Sequence, residues 1–147
     1  HAWGAQNRWL RQIAARNVLY VHPETAARAG LADGDWAWLS SHVGRIRVQV
    51  ALHAGVQRDT VWTWNAIGKR RGSWGLAPDT PEATRGFLLN HLVSDLLPGA
   101  PGSANADPVT GQASWFDLRV CIDRCEDQRD ALAQPQFPAM ADVARAR

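Results

Sequence analysis

The sequence is poor in cysteine and lacks long apolar runs. Of its 147 residues only two are cysteines, Cys121 and Cys125. Two cysteines are too few for a disulfide framework, and they lack the second pair that a structural zinc site needs. Uncharged apolar stretches such as residues 18–21 are far shorter than the roughly 20 residues that cross a bilayer as a helix. The sequence therefore predicts neither a disulfide-stapled domain nor a membrane helix.

The sequence also lacks a strong excess of charge. Sixteen basic and 14 acidic residues leave a formal charge of +2, and Lys69 is the single lysine. A nucleic-acid binder should concentrate its positive charge in a patch or stripe. The one basic cluster, residues 69–71, is flanked by glycines and indicates a solvated loop; contact with phosphates or a partner is the alternative. Arginine suits bidentate phosphate recognition better than lysine does, but we predict no nucleic-acid partner.

Length and hydrophobicity indicate one domain. Hydrophobic residues make up 46% and charged residues 20%, and domains of about 100 to 150 residues are the commonest. A chain of this size buries roughly two thirds of its unfolded surface, so it can fold without disulfide bonds or a structural metal ion. The first residue is His1, without a signal-like segment after it, and we interpret the chain as a piece of a longer protein.

The first half of the chain alternates short strands with one short helix. Residues 18–21 favour a strand, and Pro23 starts a helix at the position where its missing N–H costs nothing. Gly30 ends that helix, and we expect Glu24 and Arg28 to pair across one turn. Before them, residues 5–16 predict an amphipathic turn or two in which Trp9 packs beside Ile13 in the core.

Residues 35–52 predict a β-hairpin. A Trp-rich strand at 35–41 follows the Asp33-Gly34 turn, and residues 42–44 join it to a strand with a clear two-residue period. The period places Ile46, Val48, Val50 and Leu52 in the core and exposes Arg45, Arg47 and Gln49. Further strands are expected at 61–64 and 115–123, a helical turn within 85–97 and a long loop at 98–108. These elements describe a mainly β domain with short helices, more typical of a closed barrel than of a sandwich.

Three segments resemble the C-terminal molybdopterin-dinucleotide-binding domain of the molybdenum oxidoreductases, the dimethyl-sulfoxide reductase superfamily. The first is HAWGAQNRWL at residues 1–10, and the second is NVLYVHPETAARAGLADGDWAWLSSHVGRIRVQV at residues 17–50. The third runs from the Leu89-Asn90 pair to NADPVTGQASWFDLRV at residues 105–120. Other double-psi barrels could share the middle segment, whereas the first and third are diagnostic.

The resemblance implies a six-stranded double-psi β-barrel and a division of labour. We expect the domain at residues 1–125 and an irregular or disordered C-terminal tail at 126–147. In this family the catalytic metal ligand and the iron–sulfur cluster belong to earlier parts of the polypeptide. The resemblance thus implies an enzyme only in the full-length subunit, and an isolated fragment without catalytic residues or metal ligands of its own.

The cofactor implied is bis-molybdopterin guanine dinucleotide. A planar pterin with donors and acceptors suits amide side chains, and the segments that match the family's cofactor loops supply five candidate residues: His1, Gln6, Asn7, Asn90 and Gln112. Each amide could instead cap a turn. We favour contact for Asn7 and Asn90 and leave both roles open for Gln6 and Gln112, while His1 could equally be a frayed terminus.

Other singled-out residues have plainer interpretations. His22 is expected to mark the start of the helix and not to bind a ligand. Neither cysteine is expected to have a specific role. His91 could touch the cofactor but is a weaker candidate than Asn90. The tryptophans at 36, 38, 62 and 64 are read as core and sheet surface, with at least one of them meeting the rest of the subunit.

The partners implied are the rest of the catalytic subunit, an iron–sulfur electron-transfer subunit, and a membrane anchor. The resemblance implies a membrane-associated complex and leaves open whether it lies on the cytoplasmic or the periplasmic face of the membrane. The closing element looks most like enzymes acting on sulfur compounds, although nitrate and formate enzymes share much of it. Two alternatives remain: a free-standing double-psi barrel that binds peptide or nucleic acid, and a barrel hydrolase or decarboxylase. For the latter the sequence shows no nucleophile or acid–base pair.

Overall fold

The fold is described from a computed structural model of the chain, which covers residues 7, 9–10, 13, 17–64, 87–97, 100, 102–114, 118–129 and 136–137. Over these residues the protein is mainly β with short helices. The elements in chain order are strand β1 (Leu19–Val21), helix α1 (Pro23–Arg28), strand β2 (Trp36–Ser40), strand β3 (Arg45–Leu52), strand β4 (Val61–Trp62), a 3₁₀ helix (Leu89–Leu92) and strand β5 (Cys121–Arg124).

The five strands form one curled sheet in the order β4-β1-β3-β2-β5. The central strand β3 uses its two ends differently. Its last three residues pair in parallel with β1, while its first five pair antiparallel with β2. Strand β4 pairs antiparallel with β1, and strand β5 pairs antiparallel with β2. We call β1 and β4 one wing of the sheet, and β2 and β5 the other wing. The staggered pairing of β3 bends the sheet into a half-barrel. Five strands are found in the described residues, and the predicted six-stranded barrel is not established by them.

The predicted strand, helix and glycine stop at residues 18–30 are confirmed, but the predicted ion pair is wrong. Helix α1 starts at Pro23 and ends before Gly30, which has a φ of 65°. Glu24 binds Arg58, with 2.7 Å between its Oε2 and the guanidinium Nε. Arg28 instead approaches Asp59 at 3.4 Å. Both side chains reach the loop before β4, so these two ion pairs join the helix to that loop.

His22 is the N-cap of α1. Its backbone is extended, and its Nδ1 accepts a hydrogen bond from the Glu24 amide at 3.1 Å. The side chain thereby satisfies one of the free N–H groups at the start of the helix. His22 thus marks the start of the helix, as predicted, and the structure shows in addition the hydrogen bond that its Nδ1 accepts.

The β2–β3 hairpin forms at the predicted place and carries the core. The Ser41 amide donates to the Gly44 carbonyl at 2.8 Å and closes the turn. Val48 pairs with Ala37, and Ile46 pairs with Leu39. These side chains share one face with residues of β1, α1 and the 3₁₀ helix. The buried apolar residues of this cluster are Leu19, Val21, Ala26, Leu31, Ala37, Leu39, Ile46, Val48, Val50, Phe87 and Leu92.

The sequence predicted that the opposite face of the hairpin is exposed to solvent, but the structure covers part of it. Arg47 is only 6% exposed, and Gln49 is half-buried. The Arg47 guanidinium lies 4.5 Å from the centre of the Trp36 ring and donates to the carbonyls of Asp127 and Arg129 at 2.6 and 2.7 Å. The prediction that Arg47 is exposed was therefore wrong, because residues after β5 cover this face. Arg45 is exposed, as predicted.

The residues that follow β5 are attached to β2. The side chain of Gln128 accepts from the Trp36 amide at 2.7 Å and donates to the Trp36 carbonyl at 2.9 Å. Cys125 is buried, and its amide also donates to the Trp36 carbonyl; burial raises the pKa of its thiol. Cys125 is thus a packing residue and not incidental, whereas Cys121 is exposed as expected.

Two further expectations differ from the structure. Strand β5 begins at Cys121, later than the predicted strand at 115–123, because β2 offers partners only for Cys121–Arg124. Leu118, Val120 and Ile122 still pack against the core. Trp9 and Ile13 are 77% and 83% exposed, so their predicted core position was wrong: helical spacing alone did not bring them onto another apolar face.

The basic cluster at residues 69–71 and the predicted loop at 77–84 lie outside the described residues, as does the strand prediction at 115–117. Among the residues that are described, no helix is long and apolar enough to cross a membrane.

Val48→Asp tests the core register. Val48 has no exposed surface, so an aspartate there would bury an unpaired charge, and we expect a loss of several kcal/mol, roughly 3 or more, in the free energy of unfolding. Chemical denaturation measures it. Cys121→Asp, at an exposed strand position, is the control and should cost about 1 kcal/mol or less. Equal losses in the two variants would contradict the register.

Arg47→Met tests the buried guanidinium. Methionine keeps much of the apolar stem but leaves the carbonyls of Asp127 and Arg129 without these donors, which should cost about 1 to 3 kcal/mol of unfolding free energy. Arg45→Met is the control, because Arg45 lies over the Trp38 ring at the same 4.5 Å and donates to the Gln136 side chain, but is exposed. We expect it to cost well under 1 kcal/mol. A similar loss of unfolding free energy in the two variants would show that burial of the Arg47 guanidinium does not add to stability.

Candidate functional site

The candidate site is a cleft between the end of β2 and two loops of the C-terminal half. It has a volume of 720 Å³. One wall comes from residues 40–42, a second from the segment directly after the 3₁₀ helix, and a third from residues 105–106, 114 and 118–121. Its polar lining includes Ser40, Ser94, Asn105, Ser114 and Arg119. The cleft thus presents hydroxyls, an amide and a guanidinium.

Asn105 joins the two loops that border the cleft. Its Nδ2 donates to the carbonyls of Ser94 and Ser114 at 3.2 and 3.3 Å. Its backbone N–H donates to the Asp95 carbonyl at 2.8 Å, and its carbonyl accepts from the Ser114 amide at 3.0 Å. Four hydrogen bonds at one asparagine fix the separation of the loops. Asn105 therefore shapes the cleft, and its amide nitrogen already serves the backbone.

The DPVTG sequence that follows is a tight turn. The Asp107 carboxylate accepts from the amides of Val109 and Thr110 at 3.1 and 2.7 Å and from the Thr110 hydroxyl at 2.9 Å. These donors, the Thr110 amide first, lower the pKa of Asp107. Gly111 has a φ of 71°, which only glycine adopts without strain. The turn is built from its own residues and sends Gln112 to the surface.

Gln112 and Asn90 do not line the cleft, but each lies close along the chain to a residue that does. Gln112 lies two residues before Ser114, and Asn90 lies three residues before Val93; both Ser114 and Val93 line the cleft. Both candidate side chains are exposed. Within the described part of the chain, neither side-chain amide makes a hydrogen bond. Both amides thus lie on short elements that lead along the chain into the walls of the cleft.

Asn90 sits on the one-turn 3₁₀ helix, which is anchored from its other side. Leu92 is fully buried, and the Ser41 hydroxyl donates to the Leu92 carbonyl at 2.8 Å. No side chain caps the N-terminus of this helix. A single 3₁₀ turn is weak by itself, so the position of Asn90 depends on these tertiary contacts.

The first candidate segment is described only in part. His1 and Gln6 lie outside the described residues. Asn7 is exposed, and its Oδ1 accepts from the amides of Trp9 and Leu10 at 2.9 and 3.4 Å. Asn7 thus caps a turn, the role given above as the alternative to cofactor contact. Its Nδ2 takes no part in these hydrogen bonds. Among the described residues, no hydrogen bond joins Asn7, Asn90 and Gln112 to one another.

Sequence reasoning missed an aromatic surface on the other wing of the sheet. The ring of Trp62 lies 5.2 Å from Tyr20 and 4.7 Å from Trp64, measured between ring centres. Both tryptophans are partly exposed beside an apolar cleft of 400 Å³. The sequence pattern predicts both as strand residues, but nothing in it indicated that their rings meet edge-on. Which tryptophan meets the rest of the subunit stays a prediction.

The chemistry available at the described site is recognition. Over the described residues no three His, Cys, Asp or Glu side chains cluster so as to hold a metal ion. Amides, hydroxyls and Arg119 can hydrogen-bond a planar heterocycle or a phosphate. The arrangement thus suits a polar ligand that brings its own reactive centre.

Comparison with known proteins supports that conclusion. Residues 1–107 match the family model described as molydopterin dinucleotide binding domain. The chain is 47% identical over 143 residues to a sulfite dehydrogenase polypeptide of Allochromatium vinosum, covering 95% of this chain and 15% of that protein. It is 29% identical over 85 residues to the molybdopterin-containing thiosulfate reductase polypeptide of Salmonella typhimurium, covering 58% of this chain and 11% of that protein.

A solved structure shares the fold. Acetylene hydratase from Pelobacter acetylenicus aligns with a TM-score of 0.55 and 19% identity, over 79% of this chain and 15% of that one. The chain thus spans less than a sixth of the length of each of these three proteins. Because the family model matches well over half of the chain, the chain belongs to the molydopterin dinucleotide binding domain family.

Proposed function

We propose that this chain forms one wall of a bis-molybdopterin guanine dinucleotide site in the catalytic subunit of an oxidoreductase that acts on sulfur compounds. The observation that carries the proposal is that two exposed amides, Asn90 and Gln112, lie on segments that lead into the walls of the polar cleft, in a domain of this family. The six-stranded double-psi closure of the barrel is part of the same proposal, as are a domain at 1–125 and a C-terminal tail at 126–147, parts of which pack on the sheet of that domain.

The described residues fit the cofactor. A pterin edge offers both donors and acceptors, and a primary amide can meet both at once. Asn90 and Gln112 are exposed and spend no side-chain hydrogen bond on the described protein. Nearby, Asn105 and Asp107 use theirs to hold the loops. The division between side chains that hold the loops and exposed amides that make no hydrogen bond to the described residues supports a ligand at Asn90 and Gln112.

The bound cofactor would supply two-electron redox chemistry. This chain would bind and orient it through Asn90, Gln112 and the Nδ2 of Asn7, with His1 and Gln6 as further candidates in the first segment. Arg119 at the rim of the cleft could meet a phosphate of the dinucleotide, because a guanidinium matches phosphate geometry. We place the metal ligand and any iron–sulfur cluster elsewhere in the subunit.

The proposed substrate class follows the relatives. Two of them carry names of enzymes acting on sulfite and thiosulfate. The proposed partners are the remainder of the catalytic subunit, an iron–sulfur electron-transfer subunit, and a membrane anchor, with no nucleic acid. The 47% identity along nearly the whole chain supports the sulfite enzyme over the thiosulfate enzyme as a guide to substrate.

Asn90→Ala in the complete subunit tests the site. Loss of a buried partner for the pterin edge should cost about 1 to 3 kcal/mol of cofactor binding, seen as lower pterin and metal content per subunit. The melting temperature should hardly change, because the Asn90 amide bonds nothing in the described domain. Gln57→Ala, an exposed amide in the loop before β4, is the control and should leave both unchanged.

The opposite ranking would contradict a cofactor role for Asn90. A cap or turn amide would lower the melting temperature, and cofactor content would fall only as folding fails. Full cofactor loading in Asn90→Ala would remove Asn90 from the site.

The 147-residue chain should bind free dinucleotide weakly and show no dye-linked turnover, because it supplies one wall of the site. Equilibrium titration of the purified chain measures the affinity. Nanomolar binding, about 12 kcal/mol, would show that the site is self-contained and that the proposed division of labour is wrong.

A further inference from the structure

The C-terminal pair Gln136–Phe137 is attached to the sheet beside the Asn90 helix. Gln136 forms an antiparallel bridge with Arg45. The Arg45 amide donates to the Gln136 carbonyl at 2.8 Å, and the Gln136 amide donates to the Arg45 carbonyl at 2.9 Å. The Arg45 Nε adds a bond of 2.6 Å to the Gln136 side chain. Gln136 thus pairs with the edge of β3 that β1 leaves free.

Gly44 gives this pair its room. A Cβ atom at position 44 would lie 2.5 Å from the Gln136 carbonyl oxygen and 3.0 Å from Cδ1 of Phe137. Real Cβ atoms do not approach a backbone oxygen that closely, so any other residue would push the pair away. Glycine at this hairpin position is therefore explained by the close approach of the C-terminal pair.

Phe137 connects the pair to the 3₁₀ helix. Its ring meets the His91 ring edge-on, with 6.0 Å between ring centres and 79° between the planes. His91 is the residue after Asn90. Leu92 anchors the same turn in the core, so the single turn is held on one side by Leu92 and on another by the ring contact with Phe137.

We infer that Phe137 is a positioning residue for Asn90, acting through His91, with Gln136 fixing Phe137 to β3. The inference rests on the proposed function of Asn90 and adds the device that orients it. A one-turn helix has little stability of its own. Removing the Phe137 ring should let the turn shift and weaken the hold of Asn90 on a pterin.

Phe137→Ala in the complete subunit tests this inference. We expect the bound pterin to dissociate about two- to tenfold faster, the fold-change that corresponds to the energy of an edge-on ring pair. Because Phe137 is 57% exposed, the melting temperature should move little. Phe137→Tyr keeps the ring and should restore the slow loss.

His53→Ala is the matched control. It removes an exposed ring from an edge-on contact of nearly the same geometry, 5.9 Å and 85° from Tyr20, on the other wing of the sheet. It should leave the pterin dissociation rate unchanged. Faster dissociation in both variants would mean a general loosening of the domain and would overturn the inference.

A double-mutant cycle separates this inference from the proposed function. If Phe137 acts through Asn90, Phe137→Ala should have little further effect in an Asn90→Ala background. Full additivity, or normal retention in Phe137→Ala while Asn90→Ala loses cofactor, would overturn the inference alone. Normal retention in Asn90→Ala would instead overturn the site itself. Should Phe137→Ala melt at a lower temperature, Phe137→Leu keeps apolar bulk without the ring and should give the same faster loss.

Discussion

The buried guanidinium of Arg47 is the interaction on which the described structure depends. A charge that leaves water must find hydrogen-bond partners or be very costly. Arg47 finds the Trp36 ring and the carbonyls of Asp127 and Arg129. Those carbonyls belong to residues beyond β5, so the last part of the described chain must fold back over the hairpin. The β2–β3 hairpin is consequently covered on both faces, although its sequence alternates like a strand with one face in water.

The side chains that hold the loops of the cleft are different from the ones that we propose for recognition. Asn105 and Asp107 spend their hydrogen bonds on backbone groups and make the loops rigid from within. Asn90 and Gln112 contribute no such bonds within the described chain. A site arranged in this way can lose a recognition residue without losing the fold, and the loops can be rigid before any ligand arrives. Rigid presentation reduces the ordering cost of binding.

The site could be predicted in part from the sequence. The third family segment contains both Asn90 and the DPVTG turn, and cleft-lining residues adjoin each of them along the chain: Val93 follows the Asn90 helix, and Ala106 precedes the turn. The capping role of Asn7 and the loop-joining role of Asn105 could not be read in advance, because an amide looks the same whether it serves the backbone or a ligand. The same limit explains Trp9 and Ile13: helical spacing shows that two side chains share a face and does not show what covers that face.

The sequence by itself determined the local elements: the Pro23 helix start and its stop before Gly30, the hairpin with Ile46, Val48 and Val50 inward, and the self-contained turn at Asp107. These depend on residues close together in the chain, where backbone preference and a two-residue period suffice. Tertiary structure alone decided the burial of Arg47 and Cys125, the turn of Glu24 toward Arg58, and the approach of Phe137 to His91. Each of these needs a partner more than 30 residues away, and no local pattern encodes which distant segment arrives.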